Sequence, residues 1–559
     1  GVAHLMSISG LHVTLFAWRA TAMVAVLWRA LGRQQPALLM RLPVARAAAW
    51  GGVGLALAYA VLAGWGVPAQ RTVLMLAIVV ALRLSARHWP WPAVWLSAMA
   101  AVLLLDPWAW LSPGFWLSFV AVAILFSAGR RGAAAAATGV PWHTRLVRAG
   151  AGLLREQGLI TLGLAPLSLW LFGQVSVVGL VANLVAIPWV TLLVTPLALL
   201  GVFLPPLWDV AAWAMQWLSQ GLALLAEGRW AVLYRPVPPV LLAVAAAGGA
   251  WMLAMRWPAI WRAGGALLVL PAMLWTPARP AHGAFDVVAL DVGQGSAVLV
   301  RTARHSLLVD TGPRWGTDSD AGERIVLPQL RAWGEAPDTV VVTHRDSDHA
   351  GGSGAIAAAY PQARWLSSFD ADPARRCVAG QRWAWDGVQV EVLHPQAGHY
   401  RDDGTSALST NDMSCVLRIE AGGASAWLAG DLTAAHEVRL ALSRPHERAT
   451  LLLAPHHGSH SSSSPVLLNT LRPRWVVVQA GHRNRFGHPA EVVVSRYAQR
   501  GIDWVQTPDC GAARWRSDRP EAMDCERQAR RRYWHHPGAT QKATAGPVLA
   551  ILPAGEKRP

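Results

Sequence analysis

The first 280 residues of this 559-residue chain carry about ten long apolar runs, and 18 Arg, no Lys and four acids (Asp106, Glu156, Asp209, Glu227) are shared among them. Nothing else in the chain constrains the fold as strongly. The runs lie near 11–31, 47–64, 67–82, 92–105, 114–128, 157–172, 175–204, 208–227, 238–255 and 263–276. A hydrocarbon core is crossed by roughly 20 apolar residues in helical form. A buried helix of a soluble protein can mimic one such run, but not ten in succession. Many of the 31 Trp flank these runs, among them Trp28, Trp65, Trp89, Trp91, Trp95, Trp108 and Trp110. Indole, with an apolar body and one donor, suits the membrane–water interface. Residues 1–280 are therefore expected to form a polytopic α-helical membrane bundle.

The charge follows the same division. The apolar part has a net charge of +14 and the remainder only +2, out of +16 in total. A uniformly basic chain would suggest a nucleic-acid-binding face. Here most of the Arg residues read as loop charges beside spans, with room for a few that line a path. Arg29, Arg33, Arg41 and Arg46 follow the first run, Arg83 and Arg87 the third, and Arg130, Arg131, Arg145, Arg148 and Arg155 the fifth. Arg256 and Arg262 follow the ninth. With alternating spans these clusters share one side, which the positive-inside rule makes cytoplasmic; Arg229 and Arg235 are the exceptions. An even span count returns the chain to the outside near residue 280. The run 175–204 reads as either one long span or a broken pair.

Four apolar segments are poor ordinary spans. AHLMSISGLHVTL holds His4, Ser7, Ser9, Gly10 and His12; GWGVPAQRT holds Pro68 and Arg71. DPWAWLSPGFWLSFVAV holds Asp106, Trp108 and Trp110, and VANLVAIPWVTLLVTP holds Asn183, Pro188 and Pro196. Irregular backbone and polar groups at membrane depth persist where protein or a water-filled cavity satisfies them, and they mark transport paths. One such segment reads as a kinked helix; four together favour a pathway. A single-strand path should be lined by cations and stacking aromatics. The channel candidates are His12, Arg71, Asp106, Trp108, Trp110 and Asn183.

From about residue 283 the composition becomes that of a soluble α/β domain. FDVVALDVGQGSAVLVRT alternates around a glycine turn, HSLLVDTG ends at Asp310, and VVVTHRDSDHAGG runs from a β-branched strand into a polar loop. WLAGDL, LLLAPHHGSH and VVVQAGHRNRFGHP follow. Side chains able to bind metal thus sit at several strand ends. In the run His344-Arg345-Asp346-Ser347-Asp348-His349, four ligand-type residues occupy six positions and two glycines follow. Such a loop can converge on one or two divalent ions, and imidazole with carboxylate suits zinc or manganese. Asp431 is suited to bridging two metals; His456, His457 and His488 add imidazoles.

HRDSDHAGG preceded by LDVGQG and LLVDTG, then GDL and PHHGSHSS, resembles the metallo-β-lactamase superfamily. More narrowly it resembles the C-terminal domain of the ComEC competence DNA-uptake channel family. HLMSISGLHV, GVPAQRT, DPWAWLSPGFWLSFVAV and FGQVSVVGLVANLVAIPWV resemble that family's competence domain. The resemblance covers about 5–510, with motifs in order. Asp346 stands where most of the wider superfamily places a second His, as it does in the competence version. The resemblance implies a C-terminal α/β metallo-β-lactamase-like αββα sandwich over 281–520, behind the bundle of about ten spans over 1–280; the composition of 521–559 reads as a basic, disordered tail. The chain opens without Met inside the first channel motif. By resemblance a membrane segment and a small extracytoplasmic domain are missing before it, which implies a fragment or an unusual start.

The same resemblance makes His344, Asp346, Asp348, His349, Asp431 and His488 the metal ligands, with His456 or His457 as an added ligand or phosphate contact. Asp291, Gln294 and Asp310 organise the rim or orient the ligating imidazoles. Ser459 and Ser461 to Ser464 donate to phosphate or form a solvated loop. The implied chemistry is phosphodiester hydrolysis at two zinc or manganese ions: a bridging hydroxide attacks phosphorus, and Asp348 either ligates or orients the water. The implied protein is an inner-membrane, multi-pass DNA channel passing one strand inward. Its extracytoplasmic nuclease-like domain degrades the other strand. DNA, the lipid bilayer, a DNA receptor and cytoplasmic translocation proteins are the implied partners; the oligomeric state stays open. Two other classes compete: a permease with a structural metal domain, and a hydrolase for another ester or amide, because fold does not settle substrate. Cys377, Cys415, Cys510 and Cys525 all lie in the soluble half, and Cys510 and Cys525 are close enough in sequence to pair. Arg530, Arg531, Arg532, Tyr533 and Trp534 form a basic-aromatic run able to touch nucleic acid or headgroups.

Overall fold

The computed structural model describes residues 10–85, 87–127, 142–228, 230–255, 257–401 and 406–536. The chain divides into two units, Gly1–Trp275 and Thr276–Pro559. Residues 1–9 of the first channel motif, Arg130, Arg131, Arg229, Arg256 and the tail from 537 lie outside the described residues, as does the side chain of His12.

Each apolar run of the first unit is centred on helix. Among the described residues, four helices are long and apolar enough to cross a membrane: Val13–Gln34, Val44–Leu62, Val67–Leu84 and Gly179–Leu200. Trp91–Leu105, Pro113–Ser127, Val240–Ala254 and Ala259–Met273 are 15 residues each. At 1.5 Å per residue, each of these spans about 22 Å, short of a hydrocarbon core of about 30 Å. Length and apolarity therefore identify four candidate spans where the sequence suggested ten. The doubtful run 175–204 is mostly one helix: Gly179–Trp189 passes through a wider turn at Val190–Val194 into Thr195–Leu200, without a break. Pro188 and Pro196 each remove a backbone donor from this stretch, which locates the irregular turn between them. Small residues bring helices together. Gly249 and Gly265 face each other so closely that a Cβ on either would meet the other's carbonyl oxygen.

The second unit is built from two seven-stranded sheets. β1 (Asp286–Ala289), β2 (Val298–Arg301), β3 (Ser306–Val309), β4 (Thr339–Val342) and β5 (Arg364–Ser367) belong to the first sheet. β6 (Arg382–Trp385), β7 (Val388–His394), β8 (Val416–Ala421), β9 (Ala424–Leu428), β10 (Leu451–Leu453), β11 (Trp475–Val478) and β12 (Asp503–Gln506) form the second sheet in sequence order. β13 (Ala513–Arg516) and β14 (Met523–Cys525) return to the first, whose order is β14-β13-β1-β2-β3-β4-β5.

Most of these strands read as nearly continuous apolar runs because both faces are covered. Val287, Val300, Leu307 and Val341 of the first sheet share one core with Val390, Leu417, Leu428 and Val477 of the second. The opposite face of the first sheet packs under Leu327, Leu330 and Ile356, and that of the second under Leu440, Leu468 and Tyr497. The layers are therefore αββα, as the resemblance implied. Disulfides join Cys510 to Cys525 and Cys377 to Cys415. The second pair, 38 residues apart, had no sequence signal.

The boundary expected at 520 needs correction. β14 adds an edge strand, Ala513 pairing with Cys525, and ordered chain continues to His536. Backbone ladder bonds and the Cys510–Cys525 bridge hold a segment whose polarity alone suggested a tail.

Candidate metal centre

The centre gathers at the ends of parallel strands, where chain leaving a rigid strand can present side chains. Beyond β4 the chain passes through Thr343 and His344 into a one-turn helix, Ser347–Ala350, which starts at Asp346 and carries Asp348 and His349. Asp431 follows β9 through a left-handed Gly430, where a Cβ would meet Ser414 and Thr343. His456 and His457 follow β10, and both adopt left-handed backbone conformations (φ 51° and 54°). Two consecutive non-glycine residues in that region store strain, which marks functional sites.

Ligand atoms of Asp348, His349, Asp431 and His457 all lie within 4.8 Å of one another. His349 Nε2 is 3.1 Å from Asp431 Oδ1 and 3.2 Å from His457 Nε2. His457 Nε2 is 3.3 Å from Asp348 Oδ2 and 3.5 Å from Asp431 Oδ2. His344 stands beside this group, its Nε2 3.7 Å from Asp346 Oδ2 and 4.0 Å from Asp431 Oδ2. His456 Nε2 is 3.8 Å from Asp431 Oδ2 and also faces Asn411 at 3.4 Å. His488 is set further out, with ring centres 5.9 Å from His456 and 6.3 Å from His457. The sequence left His456 and His457 equal; the fold puts His457 in the four-residue group and His456 at its rim.

Each inner imidazole is aimed by a partner on its other nitrogen. His349 Nδ1 meets Asp310 Oδ2 at 2.7 Å, and Asp310 is itself held by the Thr343 amide at 2.7 Å and the Thr343 hydroxyl. His457 Nδ1 donates to the Gln479 carbonyl at 2.8 Å. Both rings therefore turn Nε2 inward, the arrangement by which proteins orient metal-binding His. Gln479 also bonds Ser296 and the carbonyls of Leu290 and Ala297, tying the two sheets together behind the site. Ser414 Oγ faces His344 Nδ1 at 3.5 Å and accepts the Asp431 amide at 3.0 Å. Thr343, Ser414 and Gln479 had no sequence signal, since a lone Thr, Ser or Gln at a strand end is ordinary.

The other expected positions are dispersed. Asp291 is paired with Arg527 at 2.7 Å, and Gln294 accepts the Gly481 amide at 3.1 Å. Ser459 is buried and bonded to Ser461. In the first unit, Asp106 caps the turn Pro107–Leu111 by accepting the Trp108 amide, and Trp108 and Trp110 are about half exposed. Asn183 is half-buried on Gly179–Trp189.

Electrostatics favour a cation at the centre. Burial alone would raise Asp431, but His349 and His457 hold it well below the usual carboxylate range. Burial would likewise depress His349, yet Asp431 and Asp310 raise it well above an ordinary imidazole, and Asp431 and Asp348 raise His457. His344 is pushed down to about 4 by burial and by the His349 charge. Its buried Nε2 has no hydrogen-bond partner among the described residues. A bare lone pair, two aimed imidazoles and two carboxylates suit a divalent ion of the zinc or manganese class. Protons on His349 and His457 must leave before such an ion binds. Divalent affinity of the full chain, measured by competition with a chelating dye, should accordingly keep climbing as the pH rises above the ordinary imidazole range. A flat profile would contradict this picture.

One buried carboxylate supports the centre from behind. Glu437, fully buried on helix Ala434–Ser443, accepts the amides of Ser463 at 2.7 Å and Ser464 at 2.6 Å, shaping the chain after His457. Glu437→Ala strands two buried donors, so the soluble unit should lose about 2–4 kcal/mol in denaturant unfolding. A loss below about 1 kcal/mol would show that water replaces the carboxylate.

An αββα sandwich with a His- and Asp-lined centre at its strand ends defines a metallo-β-lactamase-fold domain, here carried by a chain whose other unit is helical and apolar. That superfamily matches residues 290–482, and the competence protein family matches residues 1–260. The chain is 37% identical over 533 residues to "Competence protein ComA" of Neisseria gonorrhoeae, covering 92% of this chain and 70% of that protein. It is 28% identical to "Recombination protein 2" of Haemophilus influenzae (88% and 65% covered) and 25% identical to "ComE operon protein 3" of Bacillus subtilis (66% and 52% covered). The chain belongs to the competence protein family. Among solved structures, the metallo-beta-lactamase fold protein YhfI from Bacillus subtilis is similar at 13% identity, over 42% of this chain and 99% of that one, with a TM-score of 0.28.

Proposed function

We propose that this chain is a channel for DNA uptake in the inner membrane, passing one strand inward while its C-terminal domain hydrolyses phosphodiesters of the other strand outside. The observation that carries the reading is the convergence of Asp348, His349, Asp431 and His457 in a chain of the competence family. DNA as cargo is what membership of the competence protein family implies. The extracytoplasmic placement is supported by the pairing of all four cysteines, since disulfides persist in oxidising compartments. The ten helical runs and the Arg clusters between them support a multi-pass topology with an even number of crossings.

Bound at the centre, one or two divalent ions supply Lewis acidity toward the phosphodiester and lower the pKa of the attacking water. The residues do the rest. Asp310 and the Gln479 carbonyl lock His349 and His457 in one orientation, so the ligand set is preorganised. Asp348, a third exposed, is held as carboxylate because its hydrogen bond with His457 outweighs burial. It is placed to orient the nucleophile and take its proton. His344, with its bare Nε2, adds a donor beside Asp431, and Asp346, His456 and His488 form the rim around the group.

The test uses the full chain in detergent, with zinc or manganese. It should cleave a labelled oligonucleotide in a chelator-sensitive way and leave β-lactam and thioester substrates intact. Turnover of those substrates without DNA cleavage would assign another hydrolase. Tight metal binding with no turnover of any substrate would make the metal structural.

A further inference from the structure

Beside the centre, the loop from β11 to helix Glu491–Gln499 bends sharply outward. Asn484 shapes it: its amide donates to the carbonyls of Gly481 at 3.0 Å and His488 at 2.6 Å, and its oxygen accepts the His488 amide at 2.9 Å. Phe486 is thereby presented at the tip, 54% exposed. It stacks on His488 with ring centres 5.6 Å apart, and the Arg485 guanidinium lies 4.8 Å from its ring centre. An exposed phenyl ring held in place by an imidazole and a cation is an ordered platform rather than a stray apolar side chain.

The same loop touches a second basic-aromatic element. His482 packs on His536 at 4.2 Å. His536 closes a strap that begins at Cys525, is pinned by the Cys510–Cys525 bridge and by Arg527–Asp291, and displays Arg530, Arg531, Arg532, Tyr533 and Trp534. The Arg532 guanidinium sits 5.2 Å from the Trp534 ring centre. Under the strap lies a cleft of about 580 Å³ lined by Asp291, Gln329, Arg527, Arg530 and Trp534. Arg527 and Arg530 are neutralised by Asp291 and Glu526. No ion pair among the described residues involves Arg483, Arg485, Arg531 or Arg532, so their charge is available to a ligand.

We propose that this strip, from Phe486 and Arg485 to Arg532 and Trp534, is the surface that holds a single-stranded polynucleotide and leads it to the metal centre. Bases stack on Phe486 and Trp534 while phosphates pair with Arg483, Arg485, Arg531 and Arg532. The inference rests on the nuclease reading above and adds the state of its substrate. Exposed aromatic faces reward unstacked bases, whereas a duplex hides its base faces, so the strip selects single strands.

The test is anisotropy of a fluorescent single strand of about 20 nucleotides with the metal chelated, using the full chain in zwitterionic nanodiscs. Phe486→Ala and Trp534→Ala should each raise Kd about tenfold, and Phe486→Tyr and Trp534→Phe should restore most of it. Arg485→Ala with Arg532→Ala should flatten the slope of log K against log salt by about 1.4, that is 0.7 for each of two phosphates on a single strand. Duplex binding should change less than single-strand binding. Unchanged single-strand affinity in both alanine variants, or absence of binding by the wild type, would overturn the proposal. So would an equal loss for duplex, or a loss seen only on anionic vesicles, which would make the strip a headgroup site. Strand binding on this strip without cleavage by wild type would leave the surface standing and remove the nuclease reading.

Discussion

Asp431→Asn and His349→Ala, each made in the full chain, should abolish divalent-dependent cleavage of DNA. Asp431 approaches four imidazoles, those of His349, His457, His456 and His344, at 3.1, 3.5, 3.8 and 4.0 Å, and its charge is the common counterweight to any cation there. Asparagine keeps the size and removes the charge, leaving too few anionic donors to hold two cations close together. His349→Ala removes the imidazole that Asp310 aims. The sandwich should survive Asp431→Asn, since its core lies between the sheets, away from the strand ends. Melting should then fall only by the lost metal linkage, with the variant and the chelated wild type converging. Asp310→Ala should cost about 10–100-fold in metal affinity or activity, because it disturbs orientation without removing a ligand. Retained, chelator-sensitive cleavage in both Asp431→Asn and His349→Ala would sink the assignment. Transformation should fall partially if degradation only disposes of the unwanted strand, and vanish if strand separation needs cleavage.

The second large effect belongs to Arg71. It lies on helix Val67–Leu84, its Nε 3.4 Å from the Val67 carbonyl, and a Cβ on Gly114 would come within 3.0 Å of the guanidinium. Its Nη1 is buried with no hydrogen-bond partner among the described residues, and Asp106 is the acid that acts on it. An incompletely satisfied cation near the end of a candidate span is a functional-site hypothesis. A phosphate passing the guanidinium would supply a charge-assisted bond of about 1.5–3 kcal/mol. Arg71→Ala should therefore lower DNA entry by about one to two orders of magnitude. Membrane abundance should be unchanged, because alanine leaves no buried charge behind. Arg71→Lys should recover part of the loss, keeping charge without the fork. Normal uptake in Arg71→Ala would count against a pore role.

Read from its order of residues, the chain declares a great deal. Apolar run length, Trp placement and the near absence of acids are one-dimensional properties, so the helical half and the change of composition near 280 are legible directly. The loop His344–His349 is equally plain, because four potential ligands in six positions need no folding to be counted. Asp431 and the paired His456-His457 are visible as candidates for the same reason.

What needed the fold is everything that depends on distance across the chain. The choice of His457 over His456 for the inner group is made by two left-handed residues that turn one imidazole in and the other to the rim. Asp310 reaches His349 from 39 positions away and Gln479 reaches His457 from 22, contacts that only the pairing of strands creates. Cys377 meets Cys415 from either side of the strand pair β6–β7, and β14 returns to the first sheet after the whole second sheet has been laid down. Spans and loop motifs are local, determined by the composition of consecutive residues. The aimed centre, its supporting hydrogen bonds and the strip leading to it exist only after distant segments are packed, since orientation is a property of neighbours in space.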